Sequence, residues 1–420
     1  MLRAVTLHPL TISEIRIMES SVETVTTLGC NVQALCGEGQ PPIQVTPLKS
    51  VDAVERWRGT WTRWHRHPNT DLDFFLTIIH FRDEVVRPHV LVVQRGDQPI
   101  AILAGRVEDV PFDLQIGYKV LLRPRVQMIR IVYGNLLGES SAEVHEALLA
   151  HLLSSLKAGE ADLIAFDYLD VDSALFWAIQ KGVRPWRRDG FSASNVHWRI
   201  GLPGTFDDYL RTLSKPSRKS LRRSVRRGEQ AFGDQLSVRR LTRLEQLEGM
   251  LNDMEEVARK TYQRSLGVGF KHDRETRETK QLALQEGRLS SYVAYVGGAP
   301  VAFDNGTRYG DTLYFDDGGY DPEFASHGFG TLLLLKQIEA ACQDPSIRRI
   351  DFGFGDSSYK ATYSNERWHE QSIHIFAPTL KGVGLNFLRT TLSGTHHILG
   401  LVLKRMGVFE RMRKLFRGQQ

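Results

Sequence analysis

The stretch YDPEFASHGFGTLLLLKQIEAAC, residues 320–342, sets a proline and two glycines directly before an apolar run too long for a typical strand. Gly328 and Gly330 bracket Phe329, and Thr331 opens the run Leu332-Leu333-Leu334-Leu335-Lys336-Gln337-Ile338-Glu339. A helix whose first turn is uncrowded exposes free N–H groups and a partial positive charge, which together suit an anion. The preceding TLYFDDGGY (312–320) reads as a strand. The order strand, glycine turn, helix gathers the backbone of His327, Gly328, Phe329, Gly330 and Thr331 at one point. No Lys-Ser/Thr follows and no third glycine is present, which excludes the P-loop and the dinucleotide fingerprint. Glycines also serve tight turns and close packing. An anion seat and a plain helix start therefore both remain open on composition.

Upstream of this stretch, YVAYVGGAPVAFDNG (292–306) places two apolar runs around Gly297-Gly298-Ala299-Pro300, a hairpin signal. The segment HVLVVQRGDQPIAILAG (89–105) is built the same way around Gly96-Asp97-Gln98-Pro99, so Pro99 and Pro300 lie 201 residues apart. Each hairpin follows a helical region, VDAVERWRGTWTRWH in one half and LEQLEGMLNDMEEVARKTY in the other. After each comes a helix and then an alternating strand: SAEVHEALLAHLLSSL before LIAFDYLD, and GTLLLLKQIEAAC before RIDFGFGD. The repeated order predicts an internally duplicated α/β (α+β) protein with mixed sheets flanked by helices. Trp57, Trp61 and Trp64 follow helical spacing and read as core packing.

At 420 residues, with 41% hydrophobic and 25% charged residues, the chain has the totals of a soluble globular protein of two or more domains. Cys30, Cys36 and Cys342 cannot form a disulfide framework, which fits a reducing compartment. The N-terminus lacks the apolar core of a signal peptide, and no apolar run reaches spanning length. A cytoplasmic location is expected. No histidine cluster shows metal-ligand spacing, so no metal is expected.

Three further segments carry chemistry. GDSSYKATYSN (355–365) follows directly on a strand end, where α/β sheets place their ligands. A phenol such as Tyr359 can protonate a departing thiolate, Asp356 can take a proton from an attacking amine, and Lys360 can hold an anionic group. A polar loop packing its tyrosines at a domain seam is the plainer alternative. In SKPSRKSLRRSVRRGEQ (214–230), Lys215, Arg218, Lys219, Arg222, Arg223, Arg226 and Arg227 advance in steps of three and one. That spacing sets all seven on one helix face, a cationic row about 18 Å long. Ser214 caps the start and Pro216 is tolerated in the first turn. A polyanionic partner is expected: cofactor phosphates, an acidic substrate, a phospholipid surface or RNA. The row carries no interleaved aromatics for base stacking, so nucleic acid is not the first expectation. Lastly, the final forty residues hold eight Lys/Arg against the single acid Glu410. ILGLVLKRMGVFERMRKLFRG (398–418) repeats its apolar residues at helical spacing. It reads either as a helix docked on the body or as a basic amphipathic helix on anionic membrane, at the inner face.

The stretch YDPEFASHGFGTLLL resembles the acyl-CoA pyrophosphate loop of the GNAT acyltransferase superfamily, V-x-P-x-x-[RQ]-x-x-G-x-G/A before a helix. Tyr320, Pro322, Gly328 and Gly330 fit that frame, and Ala325 stands where it has Arg or Gln. The looser form YDPxFAxxxxGxLLL is closer and is similar to tandem-domain GNAT-like proteins grouped with the CelD cellulose-biosynthesis proteins and distantly with FemAB aminoacyltransferases. That resemblance extends over the basic helix and GDSSYKATYS, covering most of residues 200–365, with the first half similar to a degenerate copy.

The resemblance implies two tandem GNAT-like domains: a degenerate one at 1–200, a joint with the basic helix at 201–230, an acyltransferase domain at 231–380 and a basic helical extension at 381–420. It implies transfer of an acyl group from acetyl-CoA or another acyl-CoA, as co-substrate, to an amine on an amino sugar or other envelope or polysaccharide precursor. The donor diphosphate would lie on His327–Thr331 and proton handling would fall to Tyr359 or Asp356. Two alternatives remain: a FemAB-like enzyme taking aminoacyl-tRNA, and a non-catalytic scaffold for polysaccharide biosynthesis.

Overall fold

The computed structural model describes residues 41–405 except 117, 118, 191, 193, 266–268 and 356. Cys30, Cys36, Asp356 and the segment 406–418 of the C-terminal amphipathic stretch therefore lie outside the described residues.

The first half contains β1 (Ile43–Leu48), α1 (Val51–Glu55), α2 (Arg58–Trp64), α3 (Leu72–Phe81), β2 (Val85–Pro88), β3 (Val90–Arg95), β4 (Gln98–Pro111), β5 (Leu114–Ile116), β6 (Lys119–Leu122) and β7 (Arg125–Gly138). It continues through α4 (Ala142–Lys157), β8 (Leu163–Asp170), α5 (Ala174–Gly182) and β9 (Ser194–Gly201). The joint carries α6 (Phe206–Thr212) and α7 (Lys215–Phe232). The second half holds β10 (Leu236–Arg240), α8 (Leu247–Lys260), α9 (Tyr262–Ser265), α10 (Arg274–Gln285), β11 (Leu289–Val296), β12 (Ala299–Tyr309) and β13 (Thr312–Tyr320). After these come α11 (Phe329–Gln343), β14 (Arg349–Phe354), α12 (Ser358–Tyr363), β15 (Glu366–Phe376) and α13 (Leu380–Arg405).

Both halves repeat one order: a strand, helices, an antiparallel hairpin, a third strand, a helix, and a strand parallel to the third. The expected hairpins form, β3 on β4 around Gly96 and β11 on β12 around Gly297 and Gly298, with positive φ at all three glycines. Left-handed backbone is cheap only for a residue without a β-carbon.

The two halves merge into a thirteen-stranded sheet, ordered β1-β3-β4-β7-β8-β15-β9-β14-β13-β12-β11-β10 with β2 beside β4. Chain order and spatial order part at the centre. The last strand of the second half, β15, pairs with β8 of the first, and β9 pairs with β14 of the second. The exchanged strands β9 and β15 pair with each other from Glu366↔Arg199 to Gln371↔Ser194. Side chains alternate between the two faces along each strand. On β9, Trp198 and Ile200 join the core under α11, while His197 and Arg199 turn to the opposite face.

The sheet faces are covered by apolar helix stripes. Leu148, Leu152 and Leu156 of α4 pack on Ile164, Phe166, Ile373 and Ile375. In α11, Leu332, Leu333, Leu334, Leu335 and Ile338 are all buried, each such side chain contributing about 1.5–3 kcal/mol on removal from water. Trp61 is fully buried with Trp57 and Trp64 packed around it, the arrangement their spacing predicts.

Helix α13 begins at Leu380, close to the start of the helical extension expected from residue 381, and packs mainly on the first half: Leu385 and Leu392 join Phe112, Leu114, Met128 and Leu163 together with Phe376 of β15. Lys381 reaches Asp162 at 2.6 Å and Arg389 reaches Asp189 at 3.0 Å. The chain arrives there because β15 has already crossed into the first half.

Candidate active site

The parallel pair β13/β14 is hydrogen-bonded only over Thr312–Tyr314 against Arg349–Asp351. Beyond Tyr314, β13 stays paired with β12 as far as Tyr320 but has no strand on its other side. An irregularity between Asn305 and Gly306 places Asp316 as the extra residue of β13 at this point of divergence. A β-bulge bends the bulged strand and increases its twist. The result is a gap edged by free backbone groups, leading from Tyr314 toward the start of α11.

At the head of the gap, Asp321 accepts from the Glu323 amide, and Gly328 (φ 72) turns the chain into α11 with no side-chain cap. The Leu332 amide bonds to the Gly328 carbonyl, and no side chain caps the first turn, Phe329–Thr331. A β-carbon at Gly330 would meet only the Tyr320 ring, at 3.5 Å. At Gly328 it would stand 2.9 Å from the Ser224 β-carbon and 3.0 Å from the Ser224 carbonyl oxygen. Gly328 supplies the left-handed turn and the close packing, and the helix start behind it has no side-chain cap.

The neighbour is α7. Its apolar and small positions, Leu221, Ser224, Val225, Gly228 and Phe232, lie at helical spacing and face the turn and α11. Gly228 lets the helix close in, since a β-carbon there would be 2.8 Å from the Phe329 ring and 3.1 Å from the His327 carbonyl oxygen. Phe329 is buried among Phe232, Phe324 and His327. On the outer face, Lys215, Lys219, Arg222, Arg223, Arg226 and Arg227 are exposed and Arg218 is half-buried. None of the seven has a carboxylate partner among the described residues. The sequence showed the cationic row; the packing stripe that sets it beside the glycine turn was readable from the same spacing.

On the opposite bank of the gap stands α12. Tyr359 is exposed, with its ring edge against Phe352 at 5.9 Å between centroids. Lys360 turns back to donate to the carbonyls of Phe352 (2.6 Å) and Phe354 (2.8 Å), fastening the end of β14; burial lowers its pKa. Tyr363, the second phenol of the GDSSYKATYSN segment, shares a side-chain hydrogen bond with Thr331 at the start of α11, and burial raises its pKa. Tyr209 donates to the Tyr363 carbonyl at 3.1 Å. Tyr363 thereby joins the two sides of the gap, whereas Tyr359 and Lys360 contact the β14 side.

At the closed end of the gap lies a polar cluster built by the strand exchange. His197 of β9 donates through Nε2 to Asp351 of β14 (2.7 Å) and through Nδ1 to Glu370 of β15 (3.0 Å). Tyr133 of β7 and the Trp368 indole N–H also donate to Glu370 Oε1, at 2.7 and 2.9 Å. The His197 ring stacks on Trp368 at 4.1 Å. Burial alone would lower the imidazole pKa, but the two carboxylates outweigh it and push it up to about 9. At neutral pH His197 is therefore a cation, clamping three strands. It has no lone pair with which to accept a proton. His67 sits edge-on between Tyr133 (4.9 Å) and Tyr314 (4.8 Å), and burial lowers its pKa to about 4. Tyr168, the one non-glycine residue with positive φ among those described, stacks on Phe354 at 3.7 Å across the seam. Among the described residues, no group of three His, Cys, Asp or Glu side chains is arranged to hold a metal ion.

The first half repeats the diverging pair, β7/β8 separating after Ile131↔Phe166, but not the open helix start. There Ser141 caps α4 through the Val144 amide, and Glu139 and Glu143 bring acids to the same end, both paired with Arg95. A helix start already capped and flanked by carboxylates does not attract an anion.

A parallel pair that splits beside a bulge, an uncapped helix start at the head of the split, and the same order twice over describe one architecture. Residues 215–361 match the family model for the acetyltransferase (GNAT) domain. Solved structures are similar over most of the chain. FemX shows 11% identity and a TM-score of 0.53 over 77% of this chain and 95% of its own. A tandem GNAT protein from the clavulanic acid biosynthesis pathway shows 14% identity, TM-score 0.48, over 80% and 99%. L-PGS from Bacillus licheniformis shows 12% identity, TM-score 0.48, over 81% and 96%. The likeness to FemX is one of fold. Comparison with curated proteins gives no match. Mixed sheet and tandem arrangement thus agree with the sequence reading, and the GNAT match spans the basic helix α7 as well as α12.

Proposed function

We propose that this chain transfers an acyl group, acetyl in the simplest case, from acyl-CoA to an amine on an amino sugar or envelope precursor. The observation that carries this reading is the gap beside β13, six residues long on its open side, ending at a helix start, Phe329–Thr331, that no side chain caps. An acyl-CoA arm lies in such a gap as an additional strand, its amides meeting the free backbone of β13. The donor diphosphate takes the α11 amides, with the helix dipole and the cationic row of α7 adding favourable charge.

Chemistry follows at the closed end. The acceptor nitrogen attacks the thioester carbonyl, the C–N bond forms, the C–S bond breaks, the nitrogen gives up a proton and the thiolate receives one. The Tyr359 phenol of α12, beside Phe352, supplies the proton to sulfur. His197, already protonated and bonded through both nitrogens, holds β9, β14 and β15 in register at this end. Cys342 lies inside α11, half-buried, with burial raising its thiol pKa, so direct attack is favoured over an acyl-cysteine step.

Calorimetric titration with acetyl-CoA and longer acyl-CoAs tests the donor assignment. The reading expects saturable binding in the micromolar range, and absence of binding at millimolar donor overturns it. One observation favours a second reading, an aminoacyl-tRNA donor: seven unpaired cations exceed what a single diphosphate uses. Gel-shift binding of tRNA with no affinity for any acyl-CoA would establish that donor instead.

A further inference from the structure

The exposed side of α13 is apolar. Leu380 is 97% exposed, Phe387 69%, Ile398 62% and Val383 53%. At 100° per residue these four fall within one stripe, on the side away from the buried Leu385 and Asn386. Two neighbouring features extend the surface. The β5–β6 hairpin packs its Leu114 beside Leu385 and presents Leu121 and Leu122 to solvent. Trp186, 62% exposed, is tied to the helix by Asn386, whose Nδ2 donates to the Trp186 carbonyl at 2.6 Å. Soluble surfaces rarely gather so many large apolar side chains on adjacent elements.

In sequence, no Asp or Glu occurs from Leu380 to Arg405. Within that span Lys381 and Arg389 pair with Asp162 and Asp189 of the first half. Arg184 lies over the Trp186 ring at 5.2 Å, and neither it nor Lys119 at the hairpin has a carboxylate partner among the described residues. No helix among the described residues is long and apolar enough to cross a membrane. An amphipathic helix with aromatic and aliphatic residues outward and cations beside them lies in the plane of an anionic bilayer surface.

We propose that the outer face of α13, with Leu121, Leu122 and Trp186, docks the first half of the molecule on an anionic lipid surface. The docking does not depend on which donor the second half uses. Co-sedimentation with vesicles of equal phosphatidylglycerol and phosphatidylcholine tests it, against pure phosphatidylcholine. Wild type should partition at least tenfold more strongly onto the anionic vesicles. Val383→Glu/Phe387→Glu should lower that partition at least tenfold with an unchanged melting temperature, since both positions are exposed. Residues 406–420 are intact in this variant, so the loss locates the contact on the described face. Equal partition of wild type and variant overturns the proposal. So does self-association of wild type that the variant abolishes in the absence of vesicle binding, which would assign the face to a second copy of the chain.

Discussion

Asp351→Asn probes the charge clamp at the seam. His197 is raised from an ordinary 6.5 to about 9 by Asp351 and Glu370. A shift of that size corresponds to about 3 kcal/mol of pH-dependent stability. Because the folded pKa is the higher one, this stabilisation is complete below pH 6.5 and is lost as pH rises through 9. Asn at 351 keeps an oxygen for the His197 Nε2 proton and for the Gly353 amide, which now bonds to Asp351 at 2.8 Å, but removes one of the two anions. The imidazole pKa should then fall by about 1–2 units, the usual effect of one close opposite charge. Urea unfolding at pH 6.0 and 9.5 reads the consequence. The stability difference between wild type and variant should be about 1.5–3 kcal/mol smaller at pH 9.5 than at pH 6.0. Imidazole NMR titration should place wild-type His197 near 9. A pH-independent difference, or titration of wild-type His197 near 6.5, refutes the charge clamp.

Gly328→Ala combines a left-handed φ of 72 with a β-carbon 2.9 Å from Ser224, so it should destabilise the protein by about 1–3 kcal/mol in chemical denaturation. Tyr359→Phe should lower kcat about 10- to 100-fold with little change in KM, measured by thiol release from acyl-CoA. Asp304 is raised from 3.8 to about 8, by burial first and by the charges of Asp317 and Asp316, against a lowering hydrogen bond from Gln337. Its cost to stability grows as pH climbs from about 4 to 8, so Asp304→Asn should stabilise by roughly 1–3 kcal/mol at pH 8 and not at pH 4.

The element order of each half was legible because hairpin turns and helix stripes are local signals. Gly96, Gly297 and Gly298 announce turns, and Leu332–Ile338 announce a buried helix. The strand exchange was not. β9 and β15 both alternate polar and apolar residues, and alternation fixes the face a residue takes without naming the neighbouring strand. The seam cluster depends on that exchange, so residues as distant as Tyr133, His197, Asp351 and Glu370 carry no shared local pattern. The glycine turn before α11 was legible for the opposite reason, since it belongs to one continuous segment. The role of Lys360 was decided by a contact eight residues back, on the Phe352 carbonyl, which composition does not reveal.

The central claim is that peptide amides at the start of α11 hold the phosphates of an acyl-CoA. Gly330→Glu tests it most directly, because a carboxylate in the first turn favours the helix while repelling a diphosphate, and the site has room for a side chain. The account predicts an unchanged or slightly higher melting temperature together with at least a tenfold rise in the dissociation constant for acetyl-CoA. Wild-type affinity retained in a fully folded Gly330→Glu protein would contradict it.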